Sequence, residues 1–273
     1  MATPKLHVMV IGAHQDDPEK MAGTAILYAR QGHEVRFLCT TNGQSGHENY
    51  PGYKLVQIRR EEAQHAKEVM GIAAYTCLDI NDGYLMPDIA NRERLMREIR
   101  TFAPDIIFTH RPCDYHPDHR NTAQLVQDCS YLLRVPNFLP TVPVMNKMPV
   151  IFYMEDTFQK PYPFHADVAI AIDEVIDQKI MAYAQHESQV FDWLPWVDGV
   201  DPASIPSNEE DRIVWLKQAY APRSERQTDL VRPLLTERYG VQIAAKTHYC
   251  EAFEACEYGA VHHQNDYARL FPF

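Results

Sequence analysis

The chain has 273 residues, 45% of them hydrophobic and 23% charged, with a net charge of −11. That length buries a full core, since one domain takes roughly 150 residues and α/β folds often take more. The acidic balance, with no lysine-arginine run, excludes a surface built to neutralise nucleic-acid phosphates. Six scattered cysteines (Cys39, Cys77, Cys113, Cys129, Cys250, Cys256) form no Cys-x-x-Cys pair, so a zinc ribbon or dithiol motif is not expected and free thiols in a reducing compartment are. The start, Met1-Ala2-Thr3-Pro4-Lys5, lacks the basic and apolar stretches of a signal peptide. No window approaches the ~20 apolar residues of a membrane span. A cytoplasmic protein is expected.

In chain order, Leu6-His7-Val8-Met9-Val10-Ile11 reads as a buried strand that Gly12-Ala13 carries to its carboxyl end. A helix over 18–31 follows, with Pro18 suited to its first turn and Gly32 stopping it. Strand 35–39 leads into a Gly-rich loop, 41–46, then a strong helix over 56–70 closed by Gly71. A strand at 75–78, the turn-rich loop 79–83, a helix over 90–103, a strand at 105–109 and a helix over 119–133 complete the first half. Strands alternating with amphipathic helices imply βαβ units and a parallel sheet. Right-handed crossovers place all the strand-to-helix loops on one edge. Beyond a Pro-rich stretch, 134–165, strands fit 150–153 and 167–172, helices fit 173–187, 209–220 and 223–239, and 246–253 fits a last strand. Residues 195–211 read as an exposed excursion. The expected architecture is a Rossmann-like three-layer sandwich with a mostly parallel sheet. It forms a single domain over 1–273, with core motifs in 5–133 and a decorated C-terminal elaboration in 134–273.

Two clusters sit at strand ends: His14-Gln15-Asp16-Asp17 and His116-Pro117-Asp118-His119. Alone, the first reads as a capped helix start and the second as a Pro-containing turn. Together, on the edge where open α/β sheets bind ligands, they point to one site. His14, Asp17 and His119 make a two-His, one-carboxylate set, which suits a catalytic zinc with a position left for water. Oxygen in the set also admits Fe2+, Mn2+ or Co2+. Asp16, beside the ligand Asp17, is placed to take a proton from water that the cation activates. His116 is placed to stabilise an oxyanion and protonate a leaving nitrogen, with Asp118 accepting from its ring and keeping it cationic.

These motifs resemble the LmbE-like (PIG-L) family of metal-dependent N-deacetylases, which includes N-acetylglucosaminyl-phosphatidylinositol de-N-acetylase and the deacetylases of mycothiol and bacillithiol synthesis. The family's first motif reads Ala-His-Pro-Asp-Asp, usually with Glu next; here Gln15 replaces the Pro and Pro18 precedes Glu19. The resemblance implies zinc on His14, Asp17 and His119, Asp16 as base and His116 steered by Asp118. It extends to Arg59-Arg60-Glu61-Glu62 ahead of Met70-Gly71, to Asp82-Gly83 and to the loop holding Gly43, Ser45 and Gly46. By that alignment Arg59 and Asp82 hold the sugar or its appended acid; without it, Arg59 is a solvated helix charge and Asp82 a turn residue. Later echoes are scattered, such as His186-Glu187-Ser188-Gln189 and Glu251-Ala252-Phe253.

The expected activity is zinc-dependent removal of an N-acetyl group from an amino-sugar or its conjugate. Alternatives are an amidase on thiol-sugar or other N-acyl conjugates, a phosphoesterase, and a carbohydrate-binding protein that has lost activity. A phosphoesterase would want more carboxylates for two metals. The expected partner is a small N-acetylated substrate, with no nucleic acid and no membrane span; nothing in the sequence speaks against a homo-oligomer.

Overall fold

Strand side chains point alternately to opposite faces, and β1 (His7–Gly12) uses both faces for core. Val8 and Val10 join one apolar cluster, Met9 and Ile11 another. The computed structural model describes residues 4–273; Met1, Ala2 and Thr3, part of the expected leaderless start, lie outside the described residues. Six further strands complete one sheet: β2 (Glu34–Cys39), β3 (Ala74–Cys77), β4 (Ile106–Thr109), β5 (Val150–Met154), β6 (Val168–Ala171) and β7 (Cys250–Ala255). The order is β3-β2-β1-β4-β5-β7-β6. β1 to β5 pair in parallel, and β7 runs antiparallel to both β5 and β6.

Helices cover both faces. α1 (Ala22–Arg30) and α2 (Gly52–Met70) supply Ile26, Leu27, Ala63 and Met70 to the cluster of Val8 and Val10. α3 (Ile89–Phe102) and α4 (Pro117–Leu132) supply Leu95, Ile99, Leu125 and Val126 to the cluster of Met9 and Ile11. This is the expected three-layer α/β sandwich. The chain runs outward from β1 to β3, then returns to start β4 on the other side of β1. The strand order therefore switches between β1 and β4, and a switch point opens a crevice at the carboxyl ends of its strands. The loops after those two strands carry the two clusters.

Several boundaries differ from the sequence expectation. The helix expected from residue 18 opens as a 3-10 turn, Asp17–Met21, before α1. Pro18 offers no amide, and the Asp17 carboxylate takes the amides of Ala13 and His14, so the turn folds tightly back on β1. It does so closely enough that a Cβ on Gly12 would meet Pro18 Cδ at 2.8 Å.

In the C-terminal half, α5 (Ile176–Ala184) packs on α1 and α2, and a π-helical turn, Ser188–Trp193, runs into α6 (Leu194–Val197). The excursion expected over 195–211 thus contains α6 and a 3-10 turn, Pro202–Ser204. One helix, α7 (Glu209–Leu230), replaces the two expected on either side of Pro222. An interior proline removes one helical hydrogen bond, but α7 is buried on both sides of it, through Leu216, Ser224 and Thr228. The break falls at Val231, before α8 (Arg232–Tyr239), with Pro233 in its first turn. β7 starts at Cys250 and not Lys246, because the Lys246 and Thr247 amides stay bonded to Ile243 at the end of a short helix, α9 (Val241–Ala244). Among the described residues no helix is long and apolar enough to cross a membrane.

Candidate active site

His14 and Asp17 leave β1 in a turn held by the Asp17 side chain, whose Oδ2 accepts from His14 N (2.8 Å) and Ala13 N (3.1 Å). His119 lies one turn into α4, after β4. The crevice brings the three together. His14 Nδ1 is 3.3 Å from Asp17 Oδ2, His119 Nε2 is 3.3 Å from His14 Nδ1, and His119 Nε2 is 3.3 Å from Asp17 Oδ1. Donors at the corners of a tetrahedron with bonds of ~2.0–2.1 Å lie about 3.3 Å apart, so the spacing fits a small divalent cation.

The charge balance fits one too. Asp17, Asp82 and Asp118 are buried around His14, and among the described residues none of them forms an ion pair with lysine or arginine. Buried charge of one sign calls for a counter-charge. His14 Nε2 stands 3.0 Å from Asp82 Oδ1 and 3.4 Å from Asp118 Oδ2. A carboxylate on the far nitrogen fixes the tautomer of a metal-binding histidine, here turning Nδ1 toward Asp17 and His119. Burial opposes a charge on His14, yet Asp118, Asp17 and Asp82 outweigh it and hold the imidazole well above its ordinary range.

Asp16 points away from this set. Its Oδ1 accepts from Arg59 Nη2 at 2.7 Å, and the same nitrogen donates to Gln15 O at 3.2 Å. Arg59 is buried on α2, so it is not the solvated helix charge of the bland reading. It reaches the site past Gly43, whose φ of +67° and missing side chain leave the room: a Cβ there would lie 2.8 Å from Arg59 Nη1. Asp82 is likewise no simple turn residue. Besides facing His14, its Oδ2 accepts from Ser45 N at 3.2 Å. Burial works against its charge, but His14, Arg59 and the Ser45 amide bring its carboxyl down to about 2.

His116 caps α4 and stands edge-on to His14, ring centroids 4.7 Å apart. The expected contact between the Asp118 carboxylate and His116 is not formed. His116 Nδ1 accepts the backbone N–H of Asp118 at 3.2 Å, and the Asp118 carboxylate turns inward to Gly83 N (2.7 Å) and His14. Burial, then the neighbouring His14 and His119, hold His116 below its usual range. In place of a cation held by Asp118, the arrangement gives an imidazole with Nδ1 occupied as acceptor and Nε2 left to donate.

Both clusters, and the strands that bring them together, fall inside a single stretch of recognisable sequence. Residues 9–130 match the family model for GlcNAc-PI de-N-acetylase (PIG-L). Residues 9–130 are a PIG-L family domain. Among curated proteins, the chain is 28% identical over 191 residues to 4-oxalmesaconate hydratase of Pseudomonas putida, covering 67% of this chain and 73% of that protein. It is 29% identical over 225 residues to a probable N-acetyl-alpha-D-glucosaminyl L-malate deacetylase 2 of Bacillus cereus, covering 77% and 94%. Among solved structures, N,N'-diacetylchitobiose deacetylase from Pyrococcus horikoshii shares the fold with a TM-score of 0.66 and 24% identity, over 92% of this chain and 84% of that one.

Two residues of the PIG-L domain that sequence reading passed over also belong to the site. Asp114 Oδ1 accepts from His116 N at 2.9 Å and lies 3.0 Å from His119 Nδ1. Burial opposes its charge, but His119 draws its carboxyl down to about 2. His110, directly after β4, lies flat on His119, ring centroids 4.2 Å apart, with Nε2 3.2 Å from Asp17 Oδ2. Burial, reinforced by His119, lowers it to about 3, so it is neutral. The spacing Asp114-x-His116-x-x-His119 held a signal for Asp114; nothing local marked His110.

Proposed function

We propose that the protein is a metal-dependent N-deacetylase acting on an N-acetylated amino sugar or its conjugate. The observation that carries this reading is the convergence of His14, Asp17 and His119 at mutual distances of 3.3 Å, with Asp16 and His116 beside them, in a PIG-L domain. The relative named as an N-acetyl-glucosaminyl malate deacetylase supports the choice of an amide on an amino sugar. His14, Asp17 and His119 would hold the cation, zinc or another divalent metal, which when bound acidifies water and polarises a carbonyl oxygen.

The chain's own groups divide the remaining work. Asp16, oriented by Arg59, takes the proton of the attacking water and returns it to the departing nitrogen. His116 donates from Nε2 to the carbonyl oxygen as negative charge gathers there; a neutral imidazole serves for this. Asp118 and Asp82 hold His14, and Asp114 holds His119 and the His116 backbone. The products are acetate and a free amine. Arg59 and Asp82, committed to Asp16 and His14, would meet substrate through their remaining donor and acceptor positions. We read 1–273 as one catalytic domain, because β5, β6 and β7 extend the sheet that carries the site.

A hydratase reading is favoured by the similarity to 4-oxalmesaconate hydratase. The same base and cation would then activate water for addition, with no acetate released. Incubating metal-loaded protein with N-acetylglucosamine conjugates, while following acetate and free amine together, separates the two. Equal release of both supports the deacetylase; release of neither from any conjugate overturns it.

A further inference from the structure

Next to Asp16 and Asp17 a cavity of about 230 Å³ opens between the ends of β5 and β7 and the helices α5 and α7. It lies below the ~300 Å³ at which pockets for whole small molecules begin, so it suits one appendage of a substrate whose reacting amide lies at the metal set. Its charges sort into those already engaged and those left over. Asp16 is bonded to Arg59, and Asp17 belongs to the ligand set. Glu19 holds His186 at 2.7 Å and Tyr75 at 3.0 Å. Glu251 takes the amides of Gly23 and Thr24 and the ammonium of Lys179 at 2.6 Å.

What remains is Glu155, Lys20 and Arg223, none of them in an ion pair among the described residues. Tyr220, Arg223 and Gln227 follow one another at i, i+3 and i+7, the spacing of a single helix face, and all three line the cavity. Glu155, at the end of β5, is half-buried. Arg223 and Lys179 favour its charge and Glu251 and Asp156 oppose it, but burial dominates and pushes its carboxyl up to about 7. The uncommitted charge at neutral pH is therefore positive.

We infer that this cavity is a subsite for an oxyanion on the substrate, a carboxylate or a phosphate, held by the Arg223 guanidinium. The inference rests on the deacetylase reading for what the rest of the substrate is. Arginine presents paired donors that match either oxyanion, and a partly protonated Glu155 can donate to the same group. The acid would act as an address: the subsite binds it while the amide is presented to Asp16 and His116.

The test is calorimetric binding to the metal-loaded protein of three N-acetylglucosaminides that differ only in the aglycone: carboxylate-bearing, phosphate-bearing and methyl. Acetate release is followed in parallel. The wild type should bind one or both acidic glycosides more tightly than the methyl glycoside by about tenfold or more, and the better of the two identifies the oxyanion. Arg223→Gln should bring the acidic glycosides to the methyl level and leave the methyl glycoside unchanged, with Arg223→Lys intermediate. Affinity for the carboxylate should fall as pH rises through about 7 as Glu155 ionises, and Glu155→Gln should flatten that fall. Equal binding of all three glycosides by the wild type, or a loss in Arg223→Gln that includes the methyl glycoside equally, would overturn the subsite even with acetate released. Selective binding without acetate release would support the subsite and overturn the deacetylase reading instead.

Discussion

Asp16 and Asp17 are adjacent, yet the backbone turn sends one carboxylate to Arg59 and the other to two histidines. This division predicts how their variants separate. Asp16→Asn should keep its metal and lose turnover by about 10²-fold or more, the scale of a lost general base; metal analysis beside an acetate assay checks it, and a metal-free variant would mean that the two aspartates exchange roles. His14→Ala and His119→Ala should lose the metal, whereas His116→Ala should keep it and be nearly inactive. Equal metal loss in all three would put His116 among the ligands. Gly43→Ala should displace Arg59, because its Cβ would lie 2.8 Å from Nη1; we expect reduced turnover at near-normal metal content, and unchanged turnover would show that Arg59 does not orient the base. At this scale the sequence was readable where chemistry is local. His14, Asp17 and His119 lie in short motifs at strand ends, and their types alone narrow the chemistry. The partner of a side chain across the crevice was not readable. Asp118 is next but one to His116 and still serves His14, because its position in the first turn of α4 turns it inward.

Strands and helices of the first half were legible to within a few residues because each apolar run alternates with an amphipathic helix and glycines stop two of those helices. The C-terminal half was less so. Pro222 reads as a helix break, and only burial on both sides of it keeps α7 continuous. β7, six residues of ordinary composition, is antiparallel to both neighbours, an arrangement that no local pattern encodes. The end of β5 carries its own prediction. The Glu155 carboxyl is raised to about 7 by burial, with Glu251 and Asp156 adding to the effect and Arg223 and Lys179 countering it. Between its unfolded value near ~4.3 and about 7 the folded state binds the extra proton, so stability falls as pH rises through that window. Thermal melts from pH 5 to pH 8 should show a decline that Glu155→Gln reduces. Identical slopes for the two proteins would mean that Glu155 ionises freely.

The molecule as a whole is a sheet whose strand order switches between β1 and β4. That switch, and not proximity in sequence, unites two clusters about a hundred residues apart. With Asp17, Asp82 and Asp118 buried around one histidine, a bound cation should stabilise the fold, since a ligand that binds only the native state raises its melting temperature. Chelation should lower Tm in the wild type and leave His119→Ala unmoved; a wild type insensitive to chelation would mean that the cluster holds no metal. The central claim is that this cation and Asp16 cleave an N-acetyl amide. The most direct test incubates metal-loaded wild type and Asp16→Asn with N-acetylglucosaminides and quantifies acetate and free amine over time. Equal amounts of both from the wild type, with the Asp16→Asn rate lower by about 10²-fold at unchanged metal content, are predicted. A fully metallated wild type that releases neither product from any of them would contradict it.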